Sequence, residues 1–235
     1  FEVYAYSLSM HEDAFTREIE SLTDHFVRIA GFPAITAAKQ IHSDDLDILI
    51  DCCTHTKGSE PAILVMRPAR CQITHAASSG ALGSSAIDFK LSDRFVDLPE
   101  SQRYQLETFL PIEACLYPYR ALQPQRPSPY RRKALGLRED TVLFAAFVQI
   151  MKLSPRLLAV WKRILDRVPK AMIAFSPGNL SARQGYVNLC AAAGIAAERL
   201  TFIDPADSEA GNLARFDIID AVLDTFPYGG VNGTL

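Results

Sequence analysis

The chain has 235 residues, enough for one large domain or two of ordinary size. Its 49% hydrophobic and 22% charged content is that of a folded globular protein and excludes a disordered chain. A net charge of −3 gives no overall electrostatic reason to bind nucleic acid or anionic lipid, and no apolar run reaches the length of a membrane span.

The opening residues, FEVYAYSLSMHEDAF, reach charge at once and lack the basic start of a signal peptide. They also open within a strand-like run, and the last residue, Leu235, follows closely on a glycine-rich turn, so both ends are expected to be cut from a longer protein. In chain order, strands are expected at Glu2–Leu8, His25–Gly31, Leu46–Cys53 and Cys71–Ala77. Helices are expected around Ala14–Leu22, Ala34–Ile41 and Glu60–Val65, the last stopped by Arg67-Pro68. Ile87–Asp93 and Leu106–Pro111 add strands. Such alternation, with strands apolar along their length, predicts a parallel sheet covered on both faces.

The segment Leu122–Lys133, LQPQRPSPYRRK, holds three prolines and four cations without apolar periodicity and reads as a solvated linker. The alternation then restarts: strand Val142–Val148, amphipathic helix Pro155–Val168, strand Ala171–Pro177, helix Ala182–Ala193, strand Arg199–Asp204, helix Glu209–Phe216 and strand Ala221–Phe226. The expected organisation is an α/β protein of two Rossmann-like lobes, residues 1–121 and 141–235, joined by a linker at 122–140, with the second lobe truncated. Ligands of open α/β sheets bind beyond the C-terminal ends of the strands, so the loops there are the candidates for function.

Three such loops belong to the second lobe. After Val148 comes Gln149-Ile150-Met151-Lys152-Leu153-Ser154-Pro155, where Ser154 is a good N-cap and Pro155 fits the first helical position. A helix start preceded by a lysine can hold a diphosphate, but spacing alone equally describes a surface lysine at an ordinary helix. Leu223–Leu235, LDTFPYGGVNGTL, supplies Gly229, Gly230, Asn232, Gly233 and Thr234, either as a phosphate cradle or as a plain glycine-rich turn. Ala174–Asn179 places Pro177, Gly178 and Asn179 at the same sheet edge.

In the first lobe, Thr54, His55, Thr56 and Lys57 follow a strand, and His75 with Ser78-Ser79-Gly80 follows the next. His55 is a candidate proton shuttle or acceptor-binding group, or a solvated loop histidine. Asp45-Leu46-Asp47 matches the DxD pattern of metal-dependent sugar transferases but stands at the entry of a strand, the wrong end for a ligand, so no metal site is expected. The five cysteines, Cys52, Cys53, Cys71, Cys115 and Cys190, match no zinc or redox spacing. They are expected to be small buried thiols in a reducing compartment.

From Phe147 through Lys152, Leu153 and Pro155 to Trp161, Ile164, Leu165, Val168 and Pro169, the chain resembles the catalytic region of glycosyltransferase family 41, the O-GlcNAc transferase and SPINDLY-like group. The resemblance extends over Ala191–Leu200 and Asp220–Gly230. In the first lobe it covers FEVYAYSLS, His55–Gly58, Arg67–Gln72 and Ile87–Asp93, in the family's order. The FPYGGVNGT loop is similar to that of bacterial cytoplasmic N-glucosyltransferases.

The resemblance implies a cytoplasmic GT-B enzyme with two facing lobes, inverting and metal-independent, with no cofactor beyond its UDP-sugar co-substrate. It would move GlcNAc or glucose to a protein or peptide acceptor, on a Ser/Thr hydroxyl or an Asn amide. Relatives often carry helical TPR repeats. Lys152 would neutralise the leaving diphosphate, and Gln149, Asn179, Gly230, Asn232 and Gly233 would line the donor site. Where relatives carry a [YH]-P-[GA]-T motif this chain has Ser78-Ser79-Gly80-Ala81, and Asp204–Asn212 offers no histidine or lysine. A catalytically inactive nucleotide- or protein-binding fragment of this fold, or a glycosyltransferase acting on small molecules or glycans, are the alternatives.

Overall fold

The structure is a computed structural model that describes residues 1–75, 80–117, 122–177 and 179–230. The chain divides into two compact units, Phe1–Pro118 and Tyr119–Leu235.

The first unit runs β1 (Tyr4–Ser7), α1 (Ala14–Leu22), β2 (His25–Arg28), α2 (Ala34–Ser43), β3 (Ile48–Asp51), α3 (Pro61–Val65), β4 (Cys71–Thr74), β5 (Phe89–Ser92) and β6 (Thr108–Pro111). Helix α1 matches the expected span because Asp13 and Thr16 cap it reciprocally. The Thr16 amide donates to Asp13 Oδ1 at 2.9 Å, and the Asp13 amide donates to Thr16 Oγ1 at 3.2 Å. All pairings are parallel, but the strands form two sheets, β1-β2 and β3-β4-β5-β6. Ile29, Ala37, Ala38, Ile41 and Ile63 make the core on one side. Coverage of both faces, expected from the apolar strands, is incomplete at β3, where Ile48 and Ile50 are half exposed.

The second unit runs β7 (Val142–Ala145), α4 (Pro155–Arg167), β8 (Ala171–Phe175), α5 (Arg183–Ala192), β9 (Leu200–Phe202), α6 (Glu209–Leu213) and β10 (Ala221–Val222). Its sheet is wholly parallel in the order β10-β7-β8-β9. Helix α4 starts where the sequence predicts: the Leu157 amide donates to Ser154 Oγ at 3.2 Å, and Pro155 needs no amide partner. Its Leu157, Leu158, Trp161 and Leu165 enter a core shared with Ile173, Phe175 and Tyr186. Removing the Trp161 ring, which is 2% exposed, would cost about 3–5 kcal/mol. Arg199 closes the far end by donating to the carbonyls of Ala171, Leu165 and Val168.

Two expectations need correction. The proline-rich segment is fastened to the second unit rather than merely solvated. The Gln125 amide donates to the Ala210 carbonyl, and Arg126 pairs with Asp217. Arg132 reaches the Ile218 and Thr141 carbonyls and the Asp220 carboxylate. Arginine's five donors let one side chain satisfy several acceptors at the end of a helical turn. The cysteines are also not uniformly buried: Cys52 and Cys115 are exposed, and only Cys190 lies wholly in the core, where burial pushes its thiol up to about 11.

Candidate functional site

The C-terminal edge of the second unit's sheet gathers the loops after β7, β8 and β10. After β7 the chain turns through a short 3-10 segment, Ile150–Lys152, before Ser154 caps α4. This loop is braced from α5: Tyr186 Oη donates to the Val148 carbonyl at 2.7 Å. Gly185 lies so close that a Cβ there would meet Ile150 Cδ1 at 2.7 Å.

Lys152 is part-buried. Its Nζ donates to the Gly229 carbonyl at 2.8 Å and sits 4.6 Å from the centre of the Tyr228 ring. The loop after β10 is folded on itself to present that carbonyl. Asp224 Oδ1 accepts the amides of Thr225 and Gly230 at 2.7 and 2.8 Å, and Thr225 Oγ1 donates to the Tyr228 carbonyl at 2.6 Å. A Cβ at 229 would stand 3.0 Å from Asp224 Oδ2, so any larger residue there has to shift that carboxylate.

After β8, Asn179 Oδ1 accepts the Ala182 amide at 2.7 Å and the Ser181 hydroxyl at 3.0 Å, so it caps the turn leading into α5. The structure thus brings Lys152 against the loop that follows β10 and gives Asn179 a capping role. Gln149 is exposed beside them. The Gly230 amide is already taken by Asp224. Asn232, Gly233 and Thr234 lie outside the described residues, as do Gly178, Ser78 and Ser79.

Arg215 is a member of this edge that sequence reasoning missed. It donates to Ser176 Oγ, which in turn donates to the Ile203 carbonyl at 2.6 Å, and its guanidinium lies 4.6 Å from the centre of the Phe147 ring. Burial lowers its pKa below the ordinary arginine value. Its only sequence signal is a cation within the helical segment before β10. Beside it, Arg183 pairs with Asp204.

In the first unit, His55 follows β3 on a turn made by Asp51, whose carboxylate accepts the amides of Cys53 and Thr54 at 3.1 and 2.8 Å. His55 Nε2 donates to the Leu82 carbonyl at 3.1 Å, which leaves Nδ1 as the basic nitrogen of the neutral ring. The loop bearing Leu82 is itself anchored by Glu107, a fully buried carboxylate whose Oε1 accepts the Gly83 amide at 2.6 Å. Asp45 and Asp47 are both paired with Arg70.

Comparison with known proteins places these features. The model of the family described as "Glycosyl transferase family 41" matches residues 1–109 and 124–233. The chain is 28% identical to the probable UDP-N-acetylglucosamine–peptide N-acetylglucosaminyltransferase SEC of Arabidopsis thaliana, over 95% of this chain and 23% of that protein. It is 26% identical to the probable UDP-N-acetylglucosamine–peptide N-acetylglucosaminyltransferase SPINDLY of Petunia hybrida, over 88% of this chain and 22% of that protein. The chain therefore spans less than a quarter of the length of these curated relatives. A solved mutant of the Thermobaculum terrenum O-GlcNAc transferase superposes with a TM-score of 0.83 at 24% identity, covering 99% of this chain and 44% of that one. The fold is thus that of a GT-B catalytic region.

Proposed function

This chain belongs to glycosyl transferase family 41, and we propose that residues 1–121 serve the acceptor side and residues 141–235 the donor side of an enzyme moving a sugar from a UDP-sugar to a protein or peptide side chain. GlcNAc is the first sugar to test, because SEC and SPINDLY bear that name. Glucose is the second, because the FPYGG loop resembles that of the N-glucosyltransferases. A Ser/Thr hydroxyl or an Asn amide is the acceptor to pair with them.

The observation that carries this reading is the convergence of Lys152 on Gly229 at the C-terminal edge of a parallel sheet. A sugar's bond to UDP breaks with negative charge developing on the diphosphate. A fixed ammonium beside a glycine-permitted backbone loop supplies compensating charge without a metal ion. Asp45-Leu46-Asp47 enters this reading as no metal site because it stands at the entry of β3, the end of the strand away from the ligand edge. Charge stabilisation at the leaving group suits a single displacement with inversion: the acceptor oxygen or nitrogen bonds to the anomeric carbon as the bond to UDP breaks, and the acceptor's proton passes to a base. His55, whose Nδ1 is the basic nitrogen, is the first-unit residue we assign to that proton. Free thiols at all five cysteines favour a reducing compartment, the cytoplasm. Among the described residues no helix is long and apolar enough to cross a membrane.

Calorimetry of the full-length protein with UDP, UDP-GlcNAc and UDP-glucose, followed by mass spectrometry of acceptor peptides, tests this reading. Tight UDP binding with peptide glycosylation is expected. UDP binding with no transfer to any peptide would instead identify a nucleotide-binding lobe, and transfer to glycans alone would identify a small-molecule enzyme.

A further inference from the structure

His55 and Glu107 bond to opposite ends of one peptide group. The carbonyl of Leu82 accepts His55 Nε2 at 3.1 Å, and the amide of Gly83, in the same planar unit, donates to Glu107 Oε1 at 2.6 Å. In a trans peptide the C=O and N–H point in opposite directions, so the imidazole and the carboxylate lie on either side of it. A charged acceptor on the N–H also polarises the unit and strengthens the carbonyl as an acceptor.

Glu107 is itself firmly placed. It is fully buried just before β6, where a carboxylate costs free energy that an apolar side chain would not. Among the described residues its carboxylate is bonded by backbone amides and by no cation, the Ser84 amide adding a longer contact at 3.4 Å. Gln102 clamps the backbone on both sides: its Nε2 donates to the Glu107 carbonyl at 2.9 Å, and its Oε1 accepts the Phe109 amide at 2.8 Å. The segment that Glu107 grips has no regular structure and depends on such anchors. Leu82 is buried with Leu64 and Ile87, and the Ala86 carbonyl accepts Gln72 Nε2 and Arg67 Nη1, both at 2.8 Å. On the other side, the Asp51 turn fixes the backbone that leads into His55. The orientation of the 82–83 peptide thereby sets that of the imidazole.

We propose that Glu107 is a positioning residue for His55. It holds the 82–83 peptide with its carbonyl toward the ring, which keeps the Nε2 proton engaged and leaves Nδ1 to take the acceptor's proton. Sealed from solvent, Glu107 acts through this peptide alone. Its value to the reaction rests on His55 as the base in the function proposed above; the positioning itself does not.

The full-length protein carrying isotope-labelled histidine tests this by NMR, with His55→Ala assigning the ring signal. The His55 Nε2–H resonance is expected to be resolved and slow to exchange in the wild type. Glu107→Gln should match it, because the amide oxygen still accepts the Gly83 N–H. In Glu107→Leu the resonance is expected to be lost to exchange with water. Its kcat should fall by about 10- to 100-fold, part of the roughly 100- to 10,000-fold that a general base contributes, while KM for the UDP-sugar stays within about twofold. Should Glu107→Leu not fold, Gln102→Ala keeps the carboxylate but unclamps its backbone, and should speed the exchange and lower kcat in the same direction. An Nε2–H signal unchanged in whichever of these two variants folds would overturn the proposal. Loss of the signal at unchanged kcat would uphold the positioning and remove His55 as the base.

Discussion

The Lys152 ammonium donates to the Gly229 carbonyl at 2.8 Å and ties together two loops 77 residues apart in the sequence. Its second neighbour, the Tyr228 ring, lies 4.6 Å away. Neither partner carries a formal charge, so a diphosphate can replace both at small electrostatic cost. In the function proposed above, Lys152 would exchange this contact for the leaving diphosphate.

Lys152→Ala should lower the full-length enzyme's turnover by about 100- to 1,000-fold, the usual cost of losing one group that stabilises developing charge. Folding should hardly change, because the hydrogen bond lost is worth about 1 kcal/mol net and shifts Tm by roughly 2–4 °C. Steady-state kinetics and a melting curve on the same preparation check both halves. Turnover at the wild-type level would remove Lys152 from the site.

Gly185 sits behind the same loop, with space for a Cβ only if Ile150 moves. Gly185→Ala gains about 1 kcal/mol of helix propensity and spends some of it displacing a flexible side-chain tip. Stability is therefore expected to change by less than about 1 kcal/mol, while the Gln149–Lys152 segment shifts and UDP affinity weakens. A variant with wild-type UDP affinity by calorimetry would show that the segment tolerates movement.

Asp224 organises the loop after β10 by accepting the Thr225 and Gly230 amides. Asp224→Ala should free both amides and release the Gly229 carbonyl from its position under Lys152. Donor KM is expected to rise by about tenfold, equivalent to roughly 1.4 kcal/mol, for hydrogen bonds to a charged acceptor. Asp224→Asn keeps one oxygen acceptor and should fall between the two. Equal KM values for all three proteins would rule out this organising role.

Much of the frame was legible because it depends on local signals. The helical pattern of Ala14–Leu22 located α1, Ser154-Pro155 marked the start of α4, and apolar runs located the strands. The order of those strands was not legible, since it depends on which edges meet across the fold. At the candidate site, Lys152 and the glycine loop were visible as separate motifs, yet nothing local told that one bonds the other. Arg215, Glu107 and Asp93 were missed for the same reason: each serves partners distant in sequence, and a single charged residue carries no periodic signal. The Arg126–Lys133 segment was read as solvated because its cations are conspicuous and their acceptors, Asp217, Ile218 and Asp220, come about 90 residues later.

Asp93 yields a prediction on pH. It is 3% exposed and holds three backbone amides, those of Phe95 and Leu116 at 2.7 Å and of Val96 at 2.9 Å. The Leu116 amide does most to hold its carboxyl below the usual value, with burial opposing and the Phe95 and Val96 amides adding to the lowering. A carboxylate depressed in the folded state contributes stability that is complete above its unfolded pKa and is lost as pH falls through the folded one. In the wild type, this contribution should therefore persist through neutral pH and decline only below the ordinary carboxylate range. Asp93→Ala leaves three amides without their acceptor and should cost about 2–4 kcal/mol near neutrality, lowering Tm by roughly 5–15 °C. Asp93→Asn keeps one oxygen acceptor but no charge, and should lose both part of the stability and the acid-side slope. Urea denaturation of the three proteins between neutral and strongly acidic pH separates the cases. A wild-type slope retained in Asp93→Asn would mean that another carboxylate governs the acid transition.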